Sequence, residues 1–261
     1  MTQGHDYIQR SVMSHMISPN KKLALVTGSS SGIGKEIALS FLNNGYLVAC
    51  GYNNNSTSIS EIEKAYKNAY GIQIDIRDRK SVQRALISIE NKFKQTIDIA
   101  VNNAGIADEK PFEKITDADW DMMLEVNLRG PFIVSQEVLP AMIKKQWGRI
   151  VNISSIGGQW GGMNQVHYAA AKAGVINLTR SLAKLYSHCG ITTNAVAPGL
   201  IDTDMIKNEI NTKAGKEKIA QIPIGRVGTT HEIATAVIFL CSEDAAYITG
   251  HTLNINGGLL F

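Results

Sequence analysis

The sequence predicts a single doubly wound α/β domain, a parallel sheet with helices on both faces. Three observations predict it. Short apolar runs without polar alternation recur along the chain, as strands buried on both faces do. Helical periodicity fills the stretches between them, the pattern of βαβ units. A glycine-rich turn follows directly on the first run.

Taken in order, Leu23-Ala24-Leu25-Val26 is the first strand and ends at Thr27-Gly28. Ile33, Ile37, Ala38, Phe41 and Leu42, at spacings of three and four, mark the first helix. Leu47–Gly51 is the next apolar run, and Asn53-Asn54-Asn55-Ser56 a loop. Further strands are predicted at Gly71–Ile76, Ile97–Val101, Arg149–Ile153, Ile191–Val196 and Thr252–Ile255. Helices are predicted over 58–69, 79–94, 117–145, 166–187 and 230–241. Residues 1–20 differ in texture, mixing charges, three methionines and scattered apolar residues without a secretory pattern. They read as a flexible N-terminal extension to a domain spanning 21–261. A sheet of this kind receives its ligand beyond the carboxyl ends of its strands. The chemistry therefore belongs in the loops that follow the strands.

Composition narrows the function. The chain has 261 residues, 44% hydrophobic and 19% charged, with ample material for a core. A net charge of +3 is too small to argue for a nucleic-acid partner or an anionic membrane. No window approaches the length of a membrane span. The three cysteines lie far apart and no CxxC or HExxH occurs, so neither a disulfide framework nor a metal site is expected. Reduced thiols in the core and a cytoplasmic location follow.

The turn Thr27-Gly28-Ser29-Ser30-Ser31-Gly32-Ile33-Gly34 sits between the first strand and the first helix. Glycines there let a phosphate approach bare backbone, and the helix N-terminus offers it free N–H groups and partial positive charge. The pattern is TGxxxGxG, a variant of the usual dinucleotide turn. The second strand ends Cys50-Gly51-Tyr52-Asn53, without the carboxylate that commonly holds the ribose hydroxyls and repels a 2′-phosphate. That favours NADP(H) and leaves NAD(H) possible, since no Arg supplies a positive partner and Ser31 stands where a base would. Asp75, after the third strand, can accept from an adenine amino group or serve as a cap or turn residue.

Tyr168 and Lys172 are four apart on a predicted helix, hence on one face. Ser154-Ser155 follow a strand, and Gly157, Gly158, Gly161 and Gly162 lead to that helix. A hydroxyl, a phenol and an ammonium can then converge. Reducing a ketone needs a hydride on carbon and a proton on oxygen. Tyrosine can give the proton but ordinarily titrates near 10. An ammonium about 4 Å away is worth about 4 kcal/mol at an effective dielectric near 20, enough to bring the phenol towards neutrality. Lys172 can also donate to a ribose, and Ser155 can hold the carbonyl oxygen. Asn127, at the mouth of a long helix, can hold a proton-supplying water or simply bond to helix backbone.

Together these residues resemble the short-chain dehydrogenase/reductase family from about Lys21 to Phe261. The resemblance rests on Thr27-Gly28…Gly32-Ile33-Gly34, Asn102-Asn103-Ala104-Gly105, Asn127, Ser155, Tyr168-Ala-Ala-Ala-Lys172 and Pro198-Gly199. It implies a seven-stranded Rossmann sheet and a nicotinamide cofactor. It further implies a catalytic set of Asn127, Ser155, Tyr168 and Lys172. Cofactor contacts are implied from Gly28, Ser30, Ser31, Gly32, Ile33 and Gly34, from Tyr52, Asn53, Asp75 and Ile76, and from Asn103, Ala104 and Gly105. Tyr168, Lys172, Pro198, Gly199 and Ile201 complete that set. Pro223-Ile-Gly-Arg226-Val-Gly, Ala245-Ala-Tyr247-Ile-Thr-Gly250 and Asn256-Gly-Gly258 resemble the branch that reduces 3-oxoacyl thioesters on acyl carrier protein. That branch implies NADPH, a homotetramer, and a mobile lid over about 200–222. Its members set basic residues near the pocket mouth for an acidic partner. Two such spots correspond to Gln146 and Cys189, both neutral, with Lys144, Lys145 and Arg129 as the bases that can compensate. Two other readings stay open: a dehydrogenase or reductase of another small ketone, sugar or secondary alcohol, and a catalytically silent nucleotide-binding protein. Trp160, Met163, His167, Met205 and Ile206 are the candidate pocket residues that separate the first two.

Overall fold

The apolar runs alternate between two cores. Along β1 (Leu23–Val26), Ala24 and Val26 point to one face of the sheet and Leu23 and Leu25 to the other, all fully buried. The first face is covered by α1 (Gly32–Asn43), α2 (Thr57–Ala65) and α9 (Thr230–Cys241) through Ile37, Phe41, Ile59, Ile62, Ile233 and Val237. The second is covered by α3 (Arg79–Phe93), α5 (Gly130–Lys145) and α7 (Val166–Tyr186) through Val82, Ile89, Ile133, Met142 and Leu182. The other strands are β2 (Leu47–Tyr52), β3 (Ala69–Gln73), β4 (Ile99–Asn102), β5 (Gly148–Ile153), β6 (Ile191–Pro198) and β7 (Thr252–Ile255). The remaining helices are α4 (Asp117–Leu124), the short α6 (Gly157–Trp160) and α8 (Lys213–Ala220). This computed structural model describes residues 21–203 and 212–261. The expected extension 1–20, the central part of the expected lid, and Met205 and Ile206 lie outside the described residues.

All seven strands run parallel in the order β3-β2-β1-β4-β5-β6-β7. The order reverses between β1 and β4, so a cleft opens above their carboxyl ends. Val26 pairs with Val101 and Asn102 with Asn152, which sets the turn after β1, the loop after β4 and the end of β5 side by side.

Besides the fourth strand, which spans Ile99–Asn102 and not Ile97–Val101, and the unpredicted α8, three elements differ from the sequence reading. The third strand occupies Ala69–Gln73, not Gly71–Ile76, and the second helix stops at Ala65 instead of running to 69. Ile74 and Ile76 are buried, but in the turn beyond the strand, where Ile76 fills space against the bare backbone of Gly130. Their apolar character reflects burial, not pairing. The predicted helix over 117–145 is interrupted by a π turn at Glu125–Arg129. Pro131 has no N–H to donate and disfavours a regular turn before it, so the helix restarts with proline in its first turn.

Candidate active site

Each side chain of the site sits where a strand ends. Gly28, after β1, takes φ +68°, and a Cβ there would lie 2.8 Å from Ala104 Cα. Gly34 is packed tighter still: its Cβ would lie 2.2 Å from Gly28 O and 2.3 Å from Asn103 Nδ2. Two of the three motif glycines thus bring backbones together, while Gly32 (φ +53°) has room above it. Thr27 Oγ1 accepts from the N–H groups of Asn103 and Ala104 at 3.1 and 3.0 Å. Asn103 Nδ2 returns bonds to the carbonyls of Thr27 and Gly28. Asn103 therefore clamps the turn from across the cleft, and neither this clamp nor the part played by the Thr27 hydroxyl is marked in the sequence. Gly34→Ala is expected to lower Tm by at least about 5 °C, because overpacking of about 2 kcal/mol moves a domain of this size that far. Dinucleotide affinity should fall with it. A thermal melt at wild-type Tm would show that this contact is soft.

The start of α1 suits an anion. No side chain caps it, Ser31 being extended at the N-cap, and its first turn holds no acidic residue. Its leading N–H groups therefore face the cleft without a side-chain acceptor. Ser31 and Asn53 are exposed at the rim, and Ser30 O is held by Ser58 Oγ at 2.5 Å. Ser29, by contrast, is fully buried and bonds back to Val26 O. Asp75 accepts from Arg77 through both carboxylate oxygens and from the Arg77 N–H. The Arg77 guanidinium hydrogen-bonded to it holds the Asp75 carboxyl below the usual carboxylate range. It is a turn residue, and the helix cap is Asp78, which accepts from Lys80 and Ser81 N–H. An adenine amino group would share an acceptor already committed to Arg77. Ile76 faces Gly130 with its side chain, so it offers a cofactor only its backbone.

The reactive groups lie across this turn. Ser155 follows β5, and its Oγ accepts from Gly157 N–H at 3.1 Å. Tyr168, partly buried in the first turn of α7, has Lys172 Nζ at 5.5 Å from its ring centre. Lys172 is 5% exposed and donates to Ile153 O at 2.9 Å. Burial pushes this ammonium down to about 8. The Tyr168 phenol moves the other way: burial raises it, and its hydrogen bond with Ser155 only partly opposes that. This corrects the expectation that the ammonium brings the phenol towards neutrality. Both groups are desolvated, and Lys172 spends its charge on the end of β5. The result suits a reductant's acid all the same, since the phenol stays protonated through the neutral range. No sequence signal could have marked Ile153, because its contribution is a backbone carbonyl.

Asn127 lies fully buried in the π turn. Its Oδ1 accepts from Ile106 N–H, and its Nδ2 donates to Ile106 O and Met123 O. The amide is thus engaged with backbone, the plainer of the two readings open from sequence. It still borders the site, for a Cβ on Gly105 would lie 2.6 Å from Asn127 Oδ1 and 3.5 Å from Lys172 Nζ. Pro198 ends β6 and Gly199 follows it, close against Asn256, with Ile201 buried behind them. Of the pocket candidates, Trp160 at the end of α6 and Met163 in the loop after it are exposed, but His167 is fully buried and lines no opening. Gln146 ends α5 and Cys189 precedes β6, both at the amino ends of strands. At about 3.3 Å per residue, the six residues of β5 separate that edge from the pocket by about 20 Å. Within one protomer these two positions are therefore not at the pocket mouth. Among the described residues no group of His, Cys, Asp and Glu could hold a metal ion, and no helix is long and apolar enough to cross a membrane.

A dinucleotide turn facing a serine, a tyrosine and a buried lysine at the switch point of a Rossmann sheet defines a nicotinamide-dependent oxidoreductase. The chain belongs to the short-chain dehydrogenase/reductase family: residues 28–260 match the family described as enoyl-(acyl carrier protein) reductase. It is 43% identical over 241 residues to the 3-oxoacyl-(acyl-carrier-protein) reductase FabG of Escherichia coli K12, covering 91% of this chain and 97% of that protein. The Aquifex aeolicus enzyme of the same name is 44% identical over 245 residues, again 91% and 97%. That of Buchnera aphidicola subsp. Schizaphis graminum is 41% identical over 240 residues, 92% and 97%.

Proposed function

We propose that the chain is an NADPH-dependent reductase converting 3-oxoacyl thioesters, on acyl carrier protein or CoA, to 3-hydroxyacyl thioesters. The observation that carries it is the partly buried Tyr168 phenol beside Ser155, opposite the glycine turn. That arrangement delivers a proton to a carbonyl oxygen. The family description names an enoyl reductase, whose conjugated alkene would also leave negative charge on a thioester oxygen, so the two activities are separated by experiment. When bound, the reduced nicotinamide supplies the hydride. Ser155 holds the ketone oxygen and Tyr168 protonates it as negative charge develops there. Lys172 anchors the ribose and steadies the charge left on the phenol. Gly28, Ser30, Ile33 and the first turn of α1 would hold the pyrophosphate, with Tyr52, Ala104 and Ile201 lining the cleft. Trp160 and Met163 give the rim an apolar lip suited to an acyl thioester. Relatives of matching length bear the name of the same activity.

The preference for NADPH rests on the end of β2, where Tyr52-Asn53 present no carboxylate to a 2′-phosphate. Asn53→Asp should lower kcat/KM for NADPH about tenfold relative to NADH, the effect of about 1.4 kcal/mol of like-charge repulsion. An unchanged ratio would move the specificity determinant elsewhere. The enzyme is proposed to act in the cytoplasm as a homotetramer, and exposed Phe132, Tyr247 and Phe261 are apolar surface that assembly would cover. Substrate class is tested by following reduced-nicotinamide absorbance with acetoacetyl-CoA and with acetoacetyl carrier protein. Faster turnover on carrier protein supports the fatty-acid role, and turnover on the CoA ester alone restricts the substrate. Silence on both refutes the thioester reading and leaves a small ketone or alcohol.

A further inference from the structure

The helix that carries the reactive pair is tied into the core well below the site. Thr179 on α7 is fully buried, and its Oγ1 accepts from Asn152 Nδ2 at 2.9 Å while donating to Val175 O at 2.8 Å. Asn152, itself fully buried on β5, accepts at Oδ1 from Asn102 Nδ2 at 2.8 Å. The same Asn102 amide reaches Ser135 Oγ on α5 at 3.0 Å. Asn102 is the last residue of β4, and its neighbour Asn103 clamps the glycine turn. One chain of side-chain hydrogen bonds therefore runs through the apolar interior from α7 to the base of the cofactor turn. Polar groups are costly at such depth, and Asn102 Oδ1 has no partner among the described residues, so their presence calls for a reason beyond cohesion.

Helix geometry supplies one. At 100° per residue, Thr179 lies roughly 20° from Tyr168 and roughly 20° from Lys172 around the axis of α7. All three share one stripe, so a rotation of α7 moves them together. Apolar packing accepts small rotations, whereas hydrogen bonds of fixed direction resist them.

We propose that Thr179 is a positioning residue: through Asn152 and Asn102 it sets the angle at which α7 presents Tyr168 and Lys172 to the glycine turn. The proposal rests on the roles given above to those two side chains. It is tested with Thr179→Val, close to isosteric but without the hydroxyl, and Thr179→Ser, which keeps it. On an acetoacetyl thioester, Thr179→Val should lower kcat about tenfold or more with KM within about threefold, the mark of a misplaced reactive group. Thr179→Ser should recover to within about threefold of wild type. A second readout needs no substrate. The Lys172 titration is followed by NMR of ¹³C-lysine-labelled protein, its signal assigned with Lys172→Met. In Thr179→Val it should move up from near 8 by about half a pH unit or more, as Nζ slips from Ile153 O towards water. Wild-type kcat with an unmoved titration would overturn the proposal, as would Thr179→Ser impaired as badly as Thr179→Val. If Thr179→Val does not fold, the double variant Asn152→Leu/Thr179→Val removes the hydroxyl together with the amide it would leave unpaired, while Asn102 Nδ2 keeps Ser135 Oγ as its acceptor. Its expected defect is the same, and full activity in it would overturn the proposal. A wild-type protein silent on thioesters would refute the substrate reading, while the lysine titration would still decide the role of Thr179.

Discussion

Replacing Tyr168 with Phe is expected to lower kcat roughly 10²–10⁴-fold, the usual contribution of a general acid, or about 3–5 kcal/mol of barrier. The substitution removes one oxygen and keeps the ring. Dinucleotide affinity should stay within about twofold, since the glycine turn and Lys172 are untouched. The wild-type pH profile should carry the same signature. Burial raises the phenol above its ordinary value, so it remains an acid at neutral pH and reduction proceeds. The reverse oxidation needs the phenolate, so its rate should climb steadily as pH rises through the alkaline range. A variant keeping a tenth of wild-type kcat would mean that another group gives the proton.

Lys172→Met should separate activity from stability in opposite directions. The ammonium is buried, and its ordinary value of 10.5 is pushed down to about 8. Between those values the unfolded chain holds more protons than the folded one, so stability rises with pH across that window. Below pH 8 the full cost applies, roughly 3 kcal/mol at 1.36 kcal/mol per unit, less what the Ile153 bond returns. Removing the ammonium should therefore raise the Tm of the cofactor-free protein at neutral pH by several degrees. Turnover should fall at least about 10²-fold, with weaker dinucleotide binding. In the wild type, cofactor affinity should decline as pH rises past about 8 and Nζ loses its proton. A Lys172→Met protein with lower Tm and undiminished affinity would contradict both the strain and the ribose contact.

Much of this was legible in the sequence because strand ends and helix starts carry strong local signals. Leu23–Val26 fell where the run of apolar residues placed it, whereas the strand expected at Ile97–Val101 runs from Ile99 to Asn102. Tyr168 and Lys172 were readable as a pair because four residues is one helical turn. Asp75 was legible only as an ambiguity, resolved by Arg77, whose guanidinium claims the carboxylate from two residues on. The break at Glu125–Arg129 was hidden because helical periodicity continues on both sides of the π turn. Burial was the hardest quantity to foresee. The pair was read as an ammonium drawing a phenol towards neutrality, yet desolvation governs both, and that depends on neighbours remote in sequence. The distance from Gln146 and Cys189 to the pocket was likewise a property of sheet direction, not of motif.

The central claim is hydride addition to a ketone carbon with Tyr168 protonating the oxygen. NADPH dideuterated at C4 of the nicotinamide would be incubated with an acetoacetyl thioester and, separately, with a crotonyl thioester, and the products analysed by mass and position of label. The account predicts one deuterium at C3 of a 3-hydroxybutyryl thioester from the first, lost in Tyr168→Phe, and no reduction of the second. Label entering the crotonyl chain, with the acetoacetyl thioester returned unchanged, would contradict it.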